Sequence, residues 1–169
     1  KDVIEGTFTK NLQVIAGSLI ALGIILAIAE KVGNFQKELK DIKWYHALIV
    51  GLAQSLALIP GSSRSGTTIT AGLFLGFKQE TAARFSFLLS VPAVFGSGLL
   101  EFYQSLDYIN FDSMVTLVIA TISAAISGYL TIEFLLRFLR QNSTFVFVIY
   151  RIVIGILIFI LISYQIIEP

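Results

Sequence analysis

The sequence predicts an all-α, polytopic membrane protein of about four spanning helices plus one re-entrant helical hairpin, and three observations carry that prediction. Of the 169 residues, 56% are hydrophobic and 14% charged, with mean hydropathy +0.83, too little polar surface to clothe a water-soluble globule. Four apolar runs each approach the ~20 residues that a helix needs to cross a bilayer. A further apolar stretch is interrupted midway by Pro60-Gly61, which breaks a helix; unpaired backbone is tolerated at membrane depth only where protein or a water-filled cavity surrounds it.

Taken in order, Leu12 to Ala29 is the first span, interrupted only by Gln13, Ser18 and small residues. Lys31 to Lys43 is a polar loop with four lysines against Glu38 and Asp41. Trp44 and Tyr45 then suit the amphipathic anchors of a membrane interface. Residues 44–77 form the hairpin: one apolar piece ends at Ile59, Pro60 to Gly66 follow, and a second runs Thr67 to Phe77. Neither piece is comfortably long enough to span, although two full spans would give the same sidedness. Thr81 to Tyr103 is the next span, expected to kink at Pro92. Ser113 to Phe138 and Phe145 to Ile167 complete the set.

Charge orders these elements. The Lys31–Lys43 loop, the Lys78 turn and the Arg137–Arg140 turn fall on one side by parity and are the basic ones, whereas the 101–112 loop, with three acids and no Lys or Arg, and Glu168 fall on the other. The basic side is therefore cytoplasmic. Twelve Lys+Arg against eleven Asp+Glu give no basic field of the kind that nucleic acid requires. Zero cysteines and a single histidine, His46, exclude disulfide frameworks, thiolate sites and multi-histidine metal sites within the chain. No signal peptide is expected in Lys1 to Lys10, which mix both signs of charge. With Lys1 first and Met114 the only methionine, the sequence reads as one membrane domain, 1–169, from a longer or processed chain.

Ionisable side chains at membrane depth are costly and mark interior sites or partners. Arg84 lies close enough to the Lys78 turn to snorkel, and Glu133 stands one helical turn before Arg137, so a local pair accounts for it. Arg64 is different. It sits in Pro60-Gly61-Ser62-Ser63-Arg64-Ser65-Gly66-Thr67-Thr68, where glycines let backbone N–H groups converge, hydroxyls donate, and a guanidinium offers a bidentate fork at the start of an apolar helix. That is phosphate-binding chemistry, without the Gly-Lys-Ser/Thr ending of a Walker loop. A tight turn with capping hydroxyls is the plainer explanation, but it leaves an arginine at depth unexplained. Arg151 is the natural second cation for a diphosphate, with a snorkelling arginine beside Tyr150 as its alternative. His46 reads as interfacial, Gly72 and Gly76 as a close-packing pair, and the Asn142-Ser143-Thr144 sequon is discounted because it falls on the cytoplasmic side.

Residues Gly51 to Thr68, GLAQSLALIPGSSRSGTT, resemble the second signature of the bacterial undecaprenyl-diphosphate phosphatase (bacitracin-resistance) family. The likeness continues through Glu80 to Pro92 and at Ile149-Tyr150-Arg151, covering most of the chain. The resemblance implies an integral membrane phosphatase of two inverted repeats, each with a re-entrant hairpin. Its reaction is removal of the terminal phosphate of a polyprenyl diphosphate carrier at a site opening to the periplasm of the bacterial inner membrane. It also implies that Arg64 and Ser63 serve catalysis, that Gly61, Ser62, Ser65, Gly66, Thr67, Thr68 and Arg151 bind substrate, and that a divalent cation (Mg or Ca) takes part. The family's first signature, Glu-x-x-x-Glu before Pro-x-Ser-Ser-x-Gly-His, is absent: aligned on Pro60, its glutamates fall at Ala53 and Ala57 and its histidine at Gly66. The implied contribution of this chain is thus a phosphate-binding half-site, inactive alone, to be completed by an N-terminal repeat or a second copy. A transporter or lipid flippase with an anion site on a broken helix is the alternative, and a noncatalytic membrane-assembly subunit is a third reading.

Overall fold

A computed structural model describes residues 11–106 and 111–167. Its described residues form six α-helices and no strand: α1 Leu12–Val32, α2 Trp44–Gln54, α3 Arg64–Phe74, α4 Gln79–Ser105, α5 Phe111–Gln141 and α6 Phe145–Ser163. Helices α1, α4, α5 and α6 are long and apolar enough to cross a membrane, as expected. Lys1 to Lys10, much of the acidic 101–112 loop and Glu168 lie outside the described residues.

Several boundaries differ from the expectation for local reasons. The second hairpin piece starts at Arg64, not Thr67, because the Ser63 side chain caps it by accepting the Gly66 N–H, so the arginine stands on the helix's first turn. The same helix stops at Phe74: Gly76 adopts φ +85°, and the N–H groups of Gly76 and Phe77 return to the Leu73 and Gly72 carbonyls, a Schellman ending that glycine permits without strain. Helix α2 tightens after Gln54 into a 3-10 turn, Ser55–Leu58. Ile59 is then extended (ψ 123°), as the residue before a proline must be. Helix α4 continues through Pro92. Helix α6 ends at Ser163, short of Ile167.

Packing centres on α1 and α6. A methyl group added at Gly155 would lie 2.6 Å from Ile20 Cγ1 and one at Gly23 3.4 Å from Arg151 Cβ, so both glycines let the two helices approach closely. Leu26, Ala29, Leu73, Phe77, Ala82 and Val148 form the buried core, which seats α3 between α1 and α4. Among the described residues, most of α5 is left uncovered, with Ile119, Ile126 and Leu130 exposed. Such a surface suits an apolar solvent.

One end of the bundle gathers the basic turns that charge parity put together. Lys78 pairs with Glu38, and Arg140 with Glu80 at 2.6 Å. Lys78 and Lys40 hold the half-exposed Glu38 carboxyl below its ordinary pKa. The backbone of Lys37 bridges to Phe77, tying the 33–43 loop to the end of α3. The local Glu133–Arg137 pair is present at 2.6 Å.

Candidate functional site: the loop between the two hairpin helices

Residues Pro60 to Ser63 turn the chain from α2 into α3. Gly61 takes φ +84°, and a Cβ there would fall 2.3 Å from Ser18 Oγ and 2.6 Å from the Ile15 carbonyl oxygen. Its absent side chain thus serves the turn and its seat on α1 rather than a ligand. Ser18 Oγ donates to the Pro60 carbonyl. Ser62 is fully buried, and its hydroxyl points back at the Leu56 carbonyl at 2.8 Å and at that of Ile59. The Ser62 carbonyl accepts a hydrogen bond from Arg151 Nη2 at 3.0 Å.

Ser63 stands at φ +63°, a left-handed backbone that costs a non-glycine residue ~1–3 kcal/mol and is retained where surrounding contacts dictate it. Here the dictating contacts are its cap: Oγ accepts from Gly66 N at 3.3 Å and lies 3.4 Å from Ser65 Oγ. The Ser63 and Arg64 side chains are exposed. Among the described residues no hydrogen bond or ion pair engages the Arg64 guanidinium.

The remaining hydroxyls point into the protein. Thr67 Oγ1 and Thr68 Oγ1 each reach the Arg64 carbonyl at 2.9 Å, and Thr70 Oγ1 donates to the Gly66 carbonyl at 2.6 Å. Thr67 and Thr68 are both buried. In the structure, then, Ser62, Thr67 and Thr68 shape the loop and the helix behind it, while Ser63, Arg64 and Ser65 form its open face.

Arg151 reaches the loop from α6. It is 7% exposed, and Nη1 is buried without a hydrogen-bond partner among the described residues. A methyl group at Gly66 would lie 2.1 Å from Nη2 and 2.7 Å from Cζ, so Gly66 makes room for this guanidinium. A cavity of about 250 Å³ opens beside these groups. Its polar edge is Ser63, Ser65, Gly66 and Arg151, and its apolar walls come from α1, α3, α5 and α6. An anionic head with an apolar body matches that lining.

The donor set does not fit a protein-held divalent cation. Arginines and hydroxyls repel or only weakly ligate a hard cation, which takes carboxylates, and among the described residues no group of three or more His, Cys, Asp or Glu could hold one. His46 is remote from the loop, near the other end of α2. It is buried, its Nδ1 accepts the Lys43 N–H at 3.0 Å, and its ring meets Phe77 edge-on at 5.0 Å, which is a structural role.

Two polar residues that sequence reasoning did not single out act on this region, Ser18 and Ser86, and a third, Glu30, ties helix ends together at the basic end of the bundle. Ser18 and Ser86 looked like small breaks in apolar runs. Glu30 ended the first span without a visible partner, because Gln79, Ser143 and the Thr144 N–H, all of which it receives, are distant in sequence.

The chain matches the family described as bacitracin resistance protein BacA over residues 1–157. It is 61% identical over 155 residues to the undecaprenyl-diphosphatase of Syntrophobacter fumaroxidans, covering 92% of this chain and 55% of that protein. Against those of Prosthecochloris aestuarii and Chlorobium phaeovibrioides the identities are 51% over 166 residues and 48% over 172, covering 93% and 96% of this chain. It spans 59% and 61% of those two relatives, so its length is a little over half that of the curated proteins it matches.

Proposed function

The chain belongs to the bacitracin resistance protein BacA family, and on that premise we propose that it supplies the phosphate-binding half of a membrane phosphatase that hydrolyses undecaprenyl diphosphate to undecaprenyl phosphate and inorganic phosphate. The observation that carries this reading is the exposed Arg64 on the first turn of α3, with the buried Arg151 guanidinium directly behind the same turn. The first-turn N–H groups of a helix lack intrahelical partners and carry partial positive charge. Together with Ser63 and Ser65 they surround a point where phosphoryl oxygens are stabilised as charge shifts during P–O cleavage.

In this reading Arg64 holds the phosphoryl oxygens through a bidentate contact, Ser63 contributes its hydroxyl at the reacting phosphate, Ser65 presents its hydroxyl beside it, and Gly66, its N–H taken by the Ser63 cap, leaves room for Arg151. Arg151 divides its work: Nη2 fixes the Ser62 carbonyl, and Nη1, unpartnered, faces the second phosphate. The prenyl chain occupies the apolar cavity. The acid/base groups, absent from this loop, come from the remaining family length or from a second copy. A divalent cation, implied by family resemblance, would be ligated by the diphosphate itself and by groups beyond these residues.

The hairpin enters from the basic side, because the flanking Lys43 and Lys78 belong to it. Helix α3, 11 residues, reaches ~16 Å at 1.5 Å per residue, and α2 with its 3-10 extension to Leu58 ~24 Å at 1.5 and 2.0 Å per residue, both short of the ~30 Å hydrocarbon core. The loop then lies at depth with its mouth towards the periplasm of the bacterial inner membrane, where the released carrier re-enters cell-wall precursor synthesis.

The test is phosphate release from undecaprenyl diphosphate in detergent, by the 169-residue chain and by a chain completed to family length, each with its Arg64→Ala variant. Turnover by the completed chain alone, reduced at least 100-fold by Arg64→Ala, is expected. Lipid translocation without hydrolysis by the completed chain would overturn the phosphatase reading in favour of a flippase.

A further inference from the structure

Helices α3 and α4, joined by a short turn, pack antiparallel along a regular seam. Gly72 meets Ala82, where an added Cβ would lie 2.8 Å from the alanine's own. One helical turn further, Thr68 meets Ser86: Oγ1 to Oγ is 2.6 Å, and the two residues are 1% and 5% exposed, respectively. The close approach that Gly72 allows brings these two short hydroxyls into contact.

Proton bookkeeping orders the pair. Thr68 Oγ1 has one proton and faces two carbonyls, Arg64 at 2.9 Å and Ser65 at 3.2 Å. Carbonyls only accept, so the Thr68 proton goes to them and the Ser86 hydroxyl donates to Thr68. We propose that Ser86 is a positioning residue for the phosphate loop: it polarises and orients the Thr68 hydroxyl, which in turn holds the backbone carbonyl of Arg64, fixing where the first turn of α3 and its guanidinium stand relative to α4. Ser86 touches no substrate. The inference rests on the reading of Arg64 as the phosphate-binding residue.

The seam also supplies a test that separates positioning from mere stability. Removing the Thr68 hydroxyl leaves that of Ser86 unsatisfied and removing Ser86 costs Thr68 its donor, whereas replacing both by apolar groups of similar shape is nearly neutral. In a chain of full family length, Ser86→Ala and Thr68→Val should each lower the thermal unfolding midpoint, and the double variant should recover it. Catalysis should not recover, because the Arg64 carbonyl then keeps the Thr67 hydroxyl but loses the tie, through Thr68 and Ser86, to α4. The expected result is a kcat for phosphate release about tenfold below the parent in Ser86→Ala, with KM within twofold, and no recovery of kcat in the double variant. Arg64-dependent binding of inorganic pyrophosphate, followed by calorimetry, gives a readout independent of turnover and should weaken at least fivefold in Ser86→Ala and in the double variant. Parental kcat and affinity in Ser86→Ala, or recovery of both together with stability in the double variant, would overturn the proposal. A parent that binds pyrophosphate but releases no phosphate would refute the phosphatase reading while still judging Ser86 on affinity. A parent that does neither would overturn both.

Discussion

Gly66 illustrates how tightly single residues are set around the loop. Its missing side chain leaves room for the Arg151 guanidinium, whose three outer atoms would all lie within 2.9 Å of an added Cβ. Gly66→Ala therefore forces Arg151 aside, breaks its bond to the Ser62 carbonyl and overpacks the site, at a cost of about 1–3 kcal/mol. Thermal unfolding in detergent should show the loss, and a smaller residue at position 151 should return part of it; an unchanged midpoint would contradict this geometry. The sequence showed the chemistry of this loop because arginine, hydroxyls and glycines are unusual at membrane depth. It did not show how the hydroxyls divide. Ser63 and Ser65 remain open while Ser62, Thr67 and Thr68 turn to carbonyls, a sorting made by the positive φ of Ser63 and by contacts from α1, α4 and α6.

Among the helices, the carboxylate of Glu30 at the end of α1 has the widest reach. Its Oε1 accepts from Gln79 Nε2 at 2.7 Å, from Ser143 Oγ and from the Thr144 N–H at 3.2 Å, which joins the ends of α1, α4 and α6. A negative charge there also complements the positive end of the α6 dipole. Glu30→Ala should destabilise the bundle by about 1.5–3 kcal/mol, the usual worth of hydrogen bonds to a charged group, and Glu30→Gln by less, since one acceptor oxygen remains. Chemical denaturation followed by helical circular dichroism checks the order, and equal stability of all three chains would refute the clamp. The same contacts explain the Asn142-Ser143-Thr144 segment, which resembled a modification sequon and is the capped entry to α6. Helix existence was legible from apolar length. Helix boundaries were not, because they depend on caps: Ser63 starts α3 three residues before Thr67, and Gly76 ends it before Phe77.

Across the whole molecule, the exposed apolar surfaces of α4 and α5 and the ion-paired basic end describe a bundle that is finished only on some faces. Pairing of Glu38 with Lys78 and Glu80 with Arg140 puts together the turns that charge parity had grouped, because opposite charges could be found only across loops sharing one side of the membrane. The tight α1–α6 pair was hidden from sequence, since Gly23 and Gly155 look like any other small residues in an apolar run. That pair delivers Arg151 to a loop 89 residues earlier in the chain, where the proposed function has the two arginines meet a diphosphate. The most direct test is calorimetric binding of a prenyl methylene-diphosphonate, which cannot be hydrolysed, to the parent and to Arg64→Ala at matched helical content. Saturable binding by the parent is expected, with a loss of about 10–100-fold in Arg64→Ala, the worth of a charge-assisted contact of about 1.5–3 kcal/mol. Equal affinity in the two proteins would contradict it.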